Sequence, residues 1–307
     1  MKKVAIIILN WKRSDLTIDL IKQFKLIKAK NIFFHIILID NHSPDKSFSR
    51  FNKVFANNPL VTLFKTETNL GFSAGVNFGL NHALEKRYNY ALVINSDVKI
   101  TPNFLQELIK AFRRNTKLVI TGPKIYFTKG HEFHKNRYSK NQLGKVLWSA
   151  GGTIDWKNIY AQNKGIDEVD TGQYNRIDTS IDFISGCCML INLSLLKKIG
   201  LFDDNYFMYL EDADLCTRIK RNGFKIAYIP KSVIYHHNAG SSSAGGNLQQ
   251  YYLSRNRLLF AKKYANFRTK FALHRQSFIT LLLGKYKWQK RGILDFYLAK
   301  FGQGSYK

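Results

Sequence analysis

Val4-Ala5-Ile6-Ile7-Ile8-Leu9-Asn10 is an unbroken apolar run that stops on a polar residue. Such a run has no alternation between a wet and a dry face, which is the pattern of a parallel strand covered on both sides. Leu16, Leu20, Ile21, Phe24 and Ile27 follow at helical spacing, behind a capping candidate at Ser14. Further along, Phe34–Ile39, Val61–Phe64, Ala91–Ile94 and the short Leu118–Thr121 read as strands. Ser73–Glu85 reads as a helix, and so does Pro102–Phe112, with proline at its start. Strand and helix in alternation predict an α/β fold with a mainly parallel central sheet flanked by helices. In such sheets ligands sit beyond the carboxyl ends of the strands. Asn10, Asp40 and Asp97 all fall at or just past such ends.

After Pro123 the pattern breaks. Residues 124–180 are rich in Lys, Asn, Gly and Tyr and read as an inserted lobe or long loops. Regularity returns with Phe183–Ile191, a helix near Leu195, and an acidic segment at 211–214 that opens another helix. Ile226–Ile229 and Val233–Tyr235 read as two short strands separated by Pro230, and Gly240–Gly246 as a flexible connector. The expected division is an α/β domain over 1–246 and a basic, aromatic, helical extension over 247–307, with no internal repeat.

The chain has 307 residues, 45% hydrophobic and 22% charged, an ordinary globular composition, but its net charge is +27. That charge predicts an anionic partner: nucleic acid, a membrane surface or a phosphorylated substrate. A generally lysine-rich proteome is the bland alternative. From Leu215 to Leu294 there is no Asp or Glu, against 16 Lys and Arg, which points to the C-terminal part as the place where the anion is met. The three cysteines fit no CxxC spacing, so a reducing cytoplasm is expected rather than a disulfide framework. The apolar run after Met1-Lys2-Lys3 is too short for a signal peptide, and no run approaches the roughly 20 residues of a membrane span. A soluble protein, or one held at a membrane by its surface, is expected.

Four segments have the residue types for chemistry. Asn95-Ser96-Asp97 puts a carboxylate at a strand end, which suits a hard divalent cation bridging two phosphates; a turn role for Asp97 is the alternative. Glu211-Asp212-Ala213-Asp214 suits the first turn of a helix, where the dipole favours negative charge. Glu211 and Asp214 share one face there, with Asp214 four residues before Arg218, while Asp212 points about 100° away. A carboxylate so placed in a cleft could deprotonate a hydroxyl. Gly71, Gly75 and Gly79 leave one helix face bare, for a ligand or for close helix–sheet packing. His236-His237 follow a strand end, and imidazole with carboxylate suits Mn²⁺ or a similar ion.

Taken in order, these segments resemble glycosyltransferase family 2 with the GT-A fold, in its rhamnosyltransferase-like bacterial branch. The resemblance runs over most of residues 4–256. It is carried by Ile8-Leu9-Asn10-Trp11, Ile39-Asp40-Asn41-His42-Ser43, Asn69-Leu70-Gly71-Phe72 with Asn77 and Gly79, Asn95-Ser96-Asp97 and Gly186. It continues through Gly200-Leu-Phe-Asp203, Glu211 to Arg218, His236-His237 before Gly240-Ser241, and Tyr252 with Arg255-Asn256. The resemblance implies roles. Asp40 would hold the nucleobase, with Asn10 and Asn41 nearby. Asn69, Gly71 and Asn77 would line the donor cleft beside Asn95 and Ser96. Asp97 would end the family's DxD motif and bind a divalent cation, Mn²⁺ or Mg²⁺, on the donor diphosphate, with His236 as a further contact. Asp212 would be the catalytic base, with Glu211 beside it. The first DxD position is Asn95 here, which leaves the cation fewer charged ligands and a greater dependence on the donor phosphates.

The implied reaction is inverting transfer of a sugar, rhamnose among the candidates, from a dTDP- or UDP-linked donor to a glycan or lipid-linked acceptor in cell-surface polysaccharide synthesis. The implied setting is the cytoplasm or the inner face of the cell membrane, with no nucleic-acid partner. Aromatics from Phe260 to Trp288 interleave with Lys and Arg, a composition that suits an anionic membrane surface; packing onto the α/β domain is the alternative. A nucleotidyltransferase would leave Glu211–Asp214 and the paired histidines without a use. A non-catalytic basic binder would need no carboxylates at strand ends.

Overall fold

The computed structural model describes residues 1–113, 115–237 and 245–306. The chain order is β1 (Lys2–Asn10), α1 (Ser14–Gln23), β2 (Ile32–Asp40), α2 (Ser47–Phe55), β3 (Val61–Lys65), α3 (Gly71–Glu85), β4 (Tyr90–Ile94), β5 (Val98–Ile100) and α4 (Phe104–Phe112). It continues with β6 (Leu118–Phe127), β7 (Leu147–Ser149), β8 (Gly152–Asp155), β9 (Tyr160–Asn163), β10 (Cys188–Asn192), α5 (Leu193–Ile199), α6 (Glu211–Arg221) and β11 (Lys225–His236). Three helices close it: α7 (Asn247–Tyr264), α8 (Phe267–Leu283) and α9 (Lys287–Tyr297).

The central sheet has the order β3-β2-β1-β4-β10-β6-β11-β5, with β7 on the outside of β6. β3, β2, β1, β4, β6 and β11 point the same way, and β10 is an antiparallel strand between β4 and β6. The apolar run of β1 is unbroken because both sheet faces are covered. Ala5 and Ile7 pack in the cluster that includes Val76 and Leu80 of α3, while Ile6 and Ile8 pack with Phe104 and Leu108 of α4 on the other side. The bare face of α3 serves this packing. A Cβ on Gly75 would come within 2.7 Å of the Leu9 side chain, and one on Gly79 within 2.7 Å of Ile7.

Several elements differ from the sequence reading. Leu118–Thr121 grows into a strand that runs through Pro123 to Phe127. On one side of Pro123 the strand is open, since β10 pairs only up to Thr121 and β7 begins at Ile125; on the other, Pro123 is opposite Ile229, where the register of β11 begins to shift. The two strands expected around Pro230 are one strand, β11, whose register shifts between Ile229 and Val233; the bulge absorbs the proline. Strand structure in 183–191 is confined to β10. The sequence reading missed α2 and the three-residue β5, which pairs antiparallel with β11 and so places Val98 opposite His236.

Residues 124–180 contain β7, the β8–β9 hairpin and loops tied by side chains, among them a buried Lys124–Asp170 ion pair of 2.6 Å. Of the Gly240–Gly246 connector only Gly245 and Gly246 are described; Ser241 lies outside the described residues. α7 is built into the α/β body, with Tyr251, Tyr252, Arg255 and Asn256 all buried. Among the described residues no helix is long and apolar enough to cross a membrane.

Candidate active site

Asn10 and Asp40 end neighbouring parallel strands in register, and the Asn10 amide donates to Asp40 Oδ1 at 2.9 Å. Ser43 N–H donates to Asp40 Oδ2 at 3.2 Å, and Thr17 Oγ1 donates to Asn10 Oδ1 at 2.8 Å. Both Asn10 and Asp40 are 0% exposed. They therefore fix the turn at 41–43 from beneath, and in this conformation neither side chain faces the cleft directly. Asn41 extends the network: its amide donates to Asn69 Oδ1 at 3.0 Å and to the Gly71 carbonyl at 3.1 Å, and its Oδ1 accepts from Leu70 N–H at 3.0 Å. Asn69, half-buried, caps the same turn by accepting from Gly71 N–H at 2.9 Å.

Two of the residues expected to line the donor cleft are used elsewhere. Asn77 closes both ends of its amide on the 202–204 loop, donating to the Phe202 carbonyl at 2.9 Å and to Asp204 Oδ1 at 2.6 Å, and accepting from Phe202 N–H at 3.0 Å. Gly71 has φ +73° and lies against Phe207; a Cβ there would come within 2.4 Å of the Phe207 ring and 2.6 Å of its carbonyl oxygen. That carbonyl accepts from Phe72 N–H at 2.6 Å and from Ser73 N–H at 3.3 Å, satisfying the first turn of α3.

Asn95, Ser96 and Asp97 sit half-buried between β4 and β5. Asp97 Oδ1 lies 3.3 Å from His236 Nε2, and the Asp97 carbonyl accepts from His237 N–H at 2.8 Å. The His236 ring packs edge-on to Trp148, with centroids 4.6 Å apart, and its buried Nδ1 has no hydrogen-bond partner. A carboxylate oxygen and an imidazole nitrogen that converge at a strand end are a donor set suited to a divalent cation. Among the described residues no group of three His, Cys, Asp or Glu forms a cage. A cation here therefore fits only with its remaining ligands drawn from the donor phosphates and water.

Asn95 N–H donates to the Cys187 carbonyl at 2.9 Å, and the N–H of the preceding residue, Gly186, donates to Asp212 Oδ2 at 2.9 Å. The Asp97 and Asp212 ends are thus joined through one short segment of chain. The Cys187 thiol, pushed up first by burial, is raised further by the charges of both Asp97 and Asp212. Asp212 Oδ1 accepts from Ala213 N–H at 2.8 Å. Burial raises the Asp212 carboxyl above its ordinary value, and the bonds from Gly186 and Ala213 hold it down. Glu211 is 6% exposed, and its Oε2 has no hydrogen-bond partner. Burial first, and then the charge of Asp212, push its carboxyl well above the usual glutamate range. The two adjacent carboxyls therefore differ: Glu211 has an unpartnered Oε2 and the Asp212 charge beside it, while Asp212 has two N–H donors that favour its ionised form.

Asp214 has a different task. It is fully buried and accepts from Arg218 Nε at 2.8 Å, Tyr206 Oη at 3.1 Å and Tyr264 Oη at 2.7 Å, with Lys263 also in contact. The expected pairing with Arg218 is there, inside a larger knot that ties α6 to α7.

The loop that delivers Glu211 and Asp212 is strained. Phe207, Tyr209 and Leu210 have φ of 60°, 69° and 69°, none of them glycine. The Asn256 amide holds the loop, donating to the carbonyls of Tyr206, Met208 and Tyr209 at 2.9, 2.7 and 2.9 Å. Arg255 donates to the carbonyls of Asn205 and Tyr206 at 3.1 and 3.0 Å, and Phe207 stacks on Tyr252 with centroids 5.1 Å apart. The sequence reading quoted Arg255, Asn256 and Gly186 without a role, and missed Trp148. An Arg-Asn pair in an otherwise apolar helix stretch, Leu258-Leu259-Phe260-Ala261 following it, was the available signal.

Residues 6–200 match the sequence model of Glycosyl transferase family 2. The chain is 26% identical over 219 residues to the N-acetylglucosaminyl-diphospho-decaprenol L-rhamnosyltransferase of Mycobacterium tuberculosis, covering 67% of each chain. It is 22% identical over 258 residues to the low-salt glycan biosynthesis hexosyltransferase Agl10 of Haloferax volcanii, covering 83% of this chain and 74% of that one. In structure it resembles the mannosyltransferase PcManGT of Pyrobaculum calidifontis, solved with GDP-Man and Mn²⁺, with a TM-score of 0.55 at 13% identity over 96% of this chain and 74% of that one.

Proposed function

The chain belongs to glycosyl transferase family 2, and from that premise we propose that it transfers a sugar with inversion, using Asp212 as the base toward the acceptor hydroxyl. Membership sets aside the nucleotidyltransferase and the non-catalytic binder. Its relatives are named as an N-acetylglucosaminyl-diphospho-decaprenol L-rhamnosyltransferase and a hexosyltransferase of glycan biosynthesis, which supports a role in polysaccharide synthesis from a nucleotide-sugar donor. The observation that carries the assignment is the difference between the two carboxyls: Glu211 is buried with an unpartnered Oε2, while Asp212 accepts from Gly186 and Ala213 N–H, bonds that favour its ionised form. A base with its pKa raised toward the working pH takes a proton more readily than an ordinary aspartate.

Asn41 and Asn69 shape the donor side, on a turn set from beneath by Asn10 and Asp40. Asn95 and Ser96 stand beside Asp97 at the diphosphate. Asp97 and His236 would hold a divalent cation, Mn²⁺ or Mg²⁺, which when bound supplies positive charge against the departing diphosphate. With Asn95 in place of an acid, cation affinity rests on the donor. Asp212 faces the acceptor and removes the hydroxyl proton as its oxygen attacks the anomeric carbon. A dTDP- or UDP-linked hexose or deoxyhexose, rhamnose first, is the proposed donor, and a lipid-linked glycan in the cytoplasm the proposed acceptor. A panel of nucleotide-sugars, read as release of nucleoside diphosphate with Mn²⁺, Mg²⁺ or EDTA, tests this. One donor class should be turned over and EDTA should abolish turnover; undiminished activity in EDTA would remove the cation from the account.

A further inference from the structure

We propose that the outward face of α8 is a docking surface for an anionic lipid bilayer, which gives the membrane contact expected from composition a definite place. α8 is apolar on two sides. Leu273, with Thr269 and Ser277, is buried where the helix packs on α7 and α9. On the other side Phe267, Phe271, Phe278 and Leu282 are 81, 64, 62 and 62% exposed. At about 100° per residue these four fall within an arc of about 60°, a single stripe along the helix. Ile279 and Leu283, 49 and 79% exposed, lie about 60° and 100° further round, beyond Arg268 and Arg275. Large apolar side chains gathered in one exposed patch mark a binding surface, where single ones do not.

The charges beside the stripe select the partner. By the same helical geometry Arg268 and Arg275 border it on one side and Lys270 on the other. From Leu215 onward the sole acidic side chain is Asp295, which is fully buried against Tyr251 and Ser305. The surface therefore presents apolar groups framed by cations and no exposed carboxylate. A helix of this kind lies in the plane of a bilayer, with its rings and Leu side chains below the headgroups and its Arg and Lys on the phosphates. Phosphates of a nucleic acid would match the cations but leave Ile279, Leu282 and Leu283 in water. Pairing two copies through this face would set cation against cation.

The test uses the full chain and co-sedimentation with vesicles. The wild type should bind vesicles containing phosphatidylglycerol, and bind phosphatidylcholine vesicles at least about tenfold more weakly. Phe271→Glu with Phe278→Glu should cut binding to the anionic vesicles by at least about tenfold, because the two rings carry much of the exposed apolar area. Arg268→Glu with Arg275→Glu should remove the preference for the anionic lipid. Both double variants should keep the melting temperature, since these side chains make few contacts, and should keep nucleoside diphosphate release with a water-soluble acceptor. That readout separates failure of this proposal from failure of the sugar-transfer reading. Equal binding by wild type and the Phe double variant, or none by wild type, overturns the proposal. So does light scattering that shows a dimer which Phe271→Glu with Phe278→Glu converts to a monomer.

Discussion

At the end of the cleft proposed for the donor, Asn10 and Asp40 face each other across adjacent parallel strands and bond directly. At the base end, Glu211 and Asp212 follow a loop with three non-glycine residues at positive φ, pinned by an asparagine 47 to 50 residues away in sequence. The first region is relaxed: strand ends meet and their side chains satisfy one another. The second is over-determined, since a conformation that costs on the order of 1–3 kcal/mol per strained residue persists only because α7 holds it. The difference teaches that the C-terminal helices take part in the site. α6 is also tied to the 181–186 segment by Cys216 and Lys220, but the loop that leads into it is held by α7, so a truncation near Gly246 should disturb catalysis as well as any surface contact.

Asn256→Ala should break the contrast most strongly. It takes a donor from the Met208 and Tyr209 carbonyls, at about 1 kcal/mol or more each, while the Tyr206 carbonyl keeps Arg255 and the Met208 N–H; it should lower the melting temperature by about 4 °C or more and turnover by more than about tenfold. Differential scanning calorimetry with a turnover assay checks it. Gly71→Ala follows, at about 2–3 kcal/mol, because a Cβ at φ +73° meets the Phe207 ring and carbonyl; denaturant unfolding reads the loss. Asn10→Ala acts on the relaxed side. It removes one donor from Asp40 and the acceptor for Thr17, at about 2 kcal/mol by the same unfolding measurement. It should raise KM for the donor more than it lowers kcat. An effect of Asn10→Ala on kcat as large as that of Asn256→Ala would erase the distinction.

Glu211→Gln should have the smallest effect, visible in pH dependence. The folded-state pKa of Glu211 is raised, so its contribution to stability is present below the ordinary glutamate value and is lost as pH rises through the raised one. Melting temperature in the wild type should therefore decline with rising pH across that window, and more shallowly in Glu211→Gln. With Asp212 as the proposed base and Glu211 raised beside it, the acid limb of kcat/KM should stay in place in Glu211→Gln. A downward shift of that limb would mean Glu211 is ionised.

The sequence showed the strand ends at Asn10 and Asp40 well, for a physical reason. Val4–Leu9 and Phe34–Ile39 declare buried parallel strands locally, and what lies at their ends follows from the topology. Asp97 and Asp212 were likewise visible as carboxylates at a strand end and a helix start. Less legible was whatever depends on distant chain. Asn77 and Gly71 read as cleft residues, but their neighbours, Phe202 and Phe207, lie more than 120 residues later. The positive φ values of Phe207, Tyr209 and Leu210 have no glycine to announce them, and Pro123 and Pro230 read as strand breaks until the partners on either side are known. The 100° offset between Glu211 and Asp212 was predictable, but the division of donors between them, with the Gly186 N–H going to Asp212, was not.

The most direct test of that division is the turnover rate of Asp212→Asn, measured as nucleoside diphosphate release at saturating donor. The side chain keeps an oxygen for the Gly186 N–H and loses only the one that accepts from Ala213 N–H, so the fold and donor affinity should be kept, with a melting temperature within about 4 °C of the wild type. The rate should fall by about 10²- to 10⁴-fold, the usual range for loss of a general base. A rate within about threefold of the wild type would show that Asp212 does not take the acceptor proton.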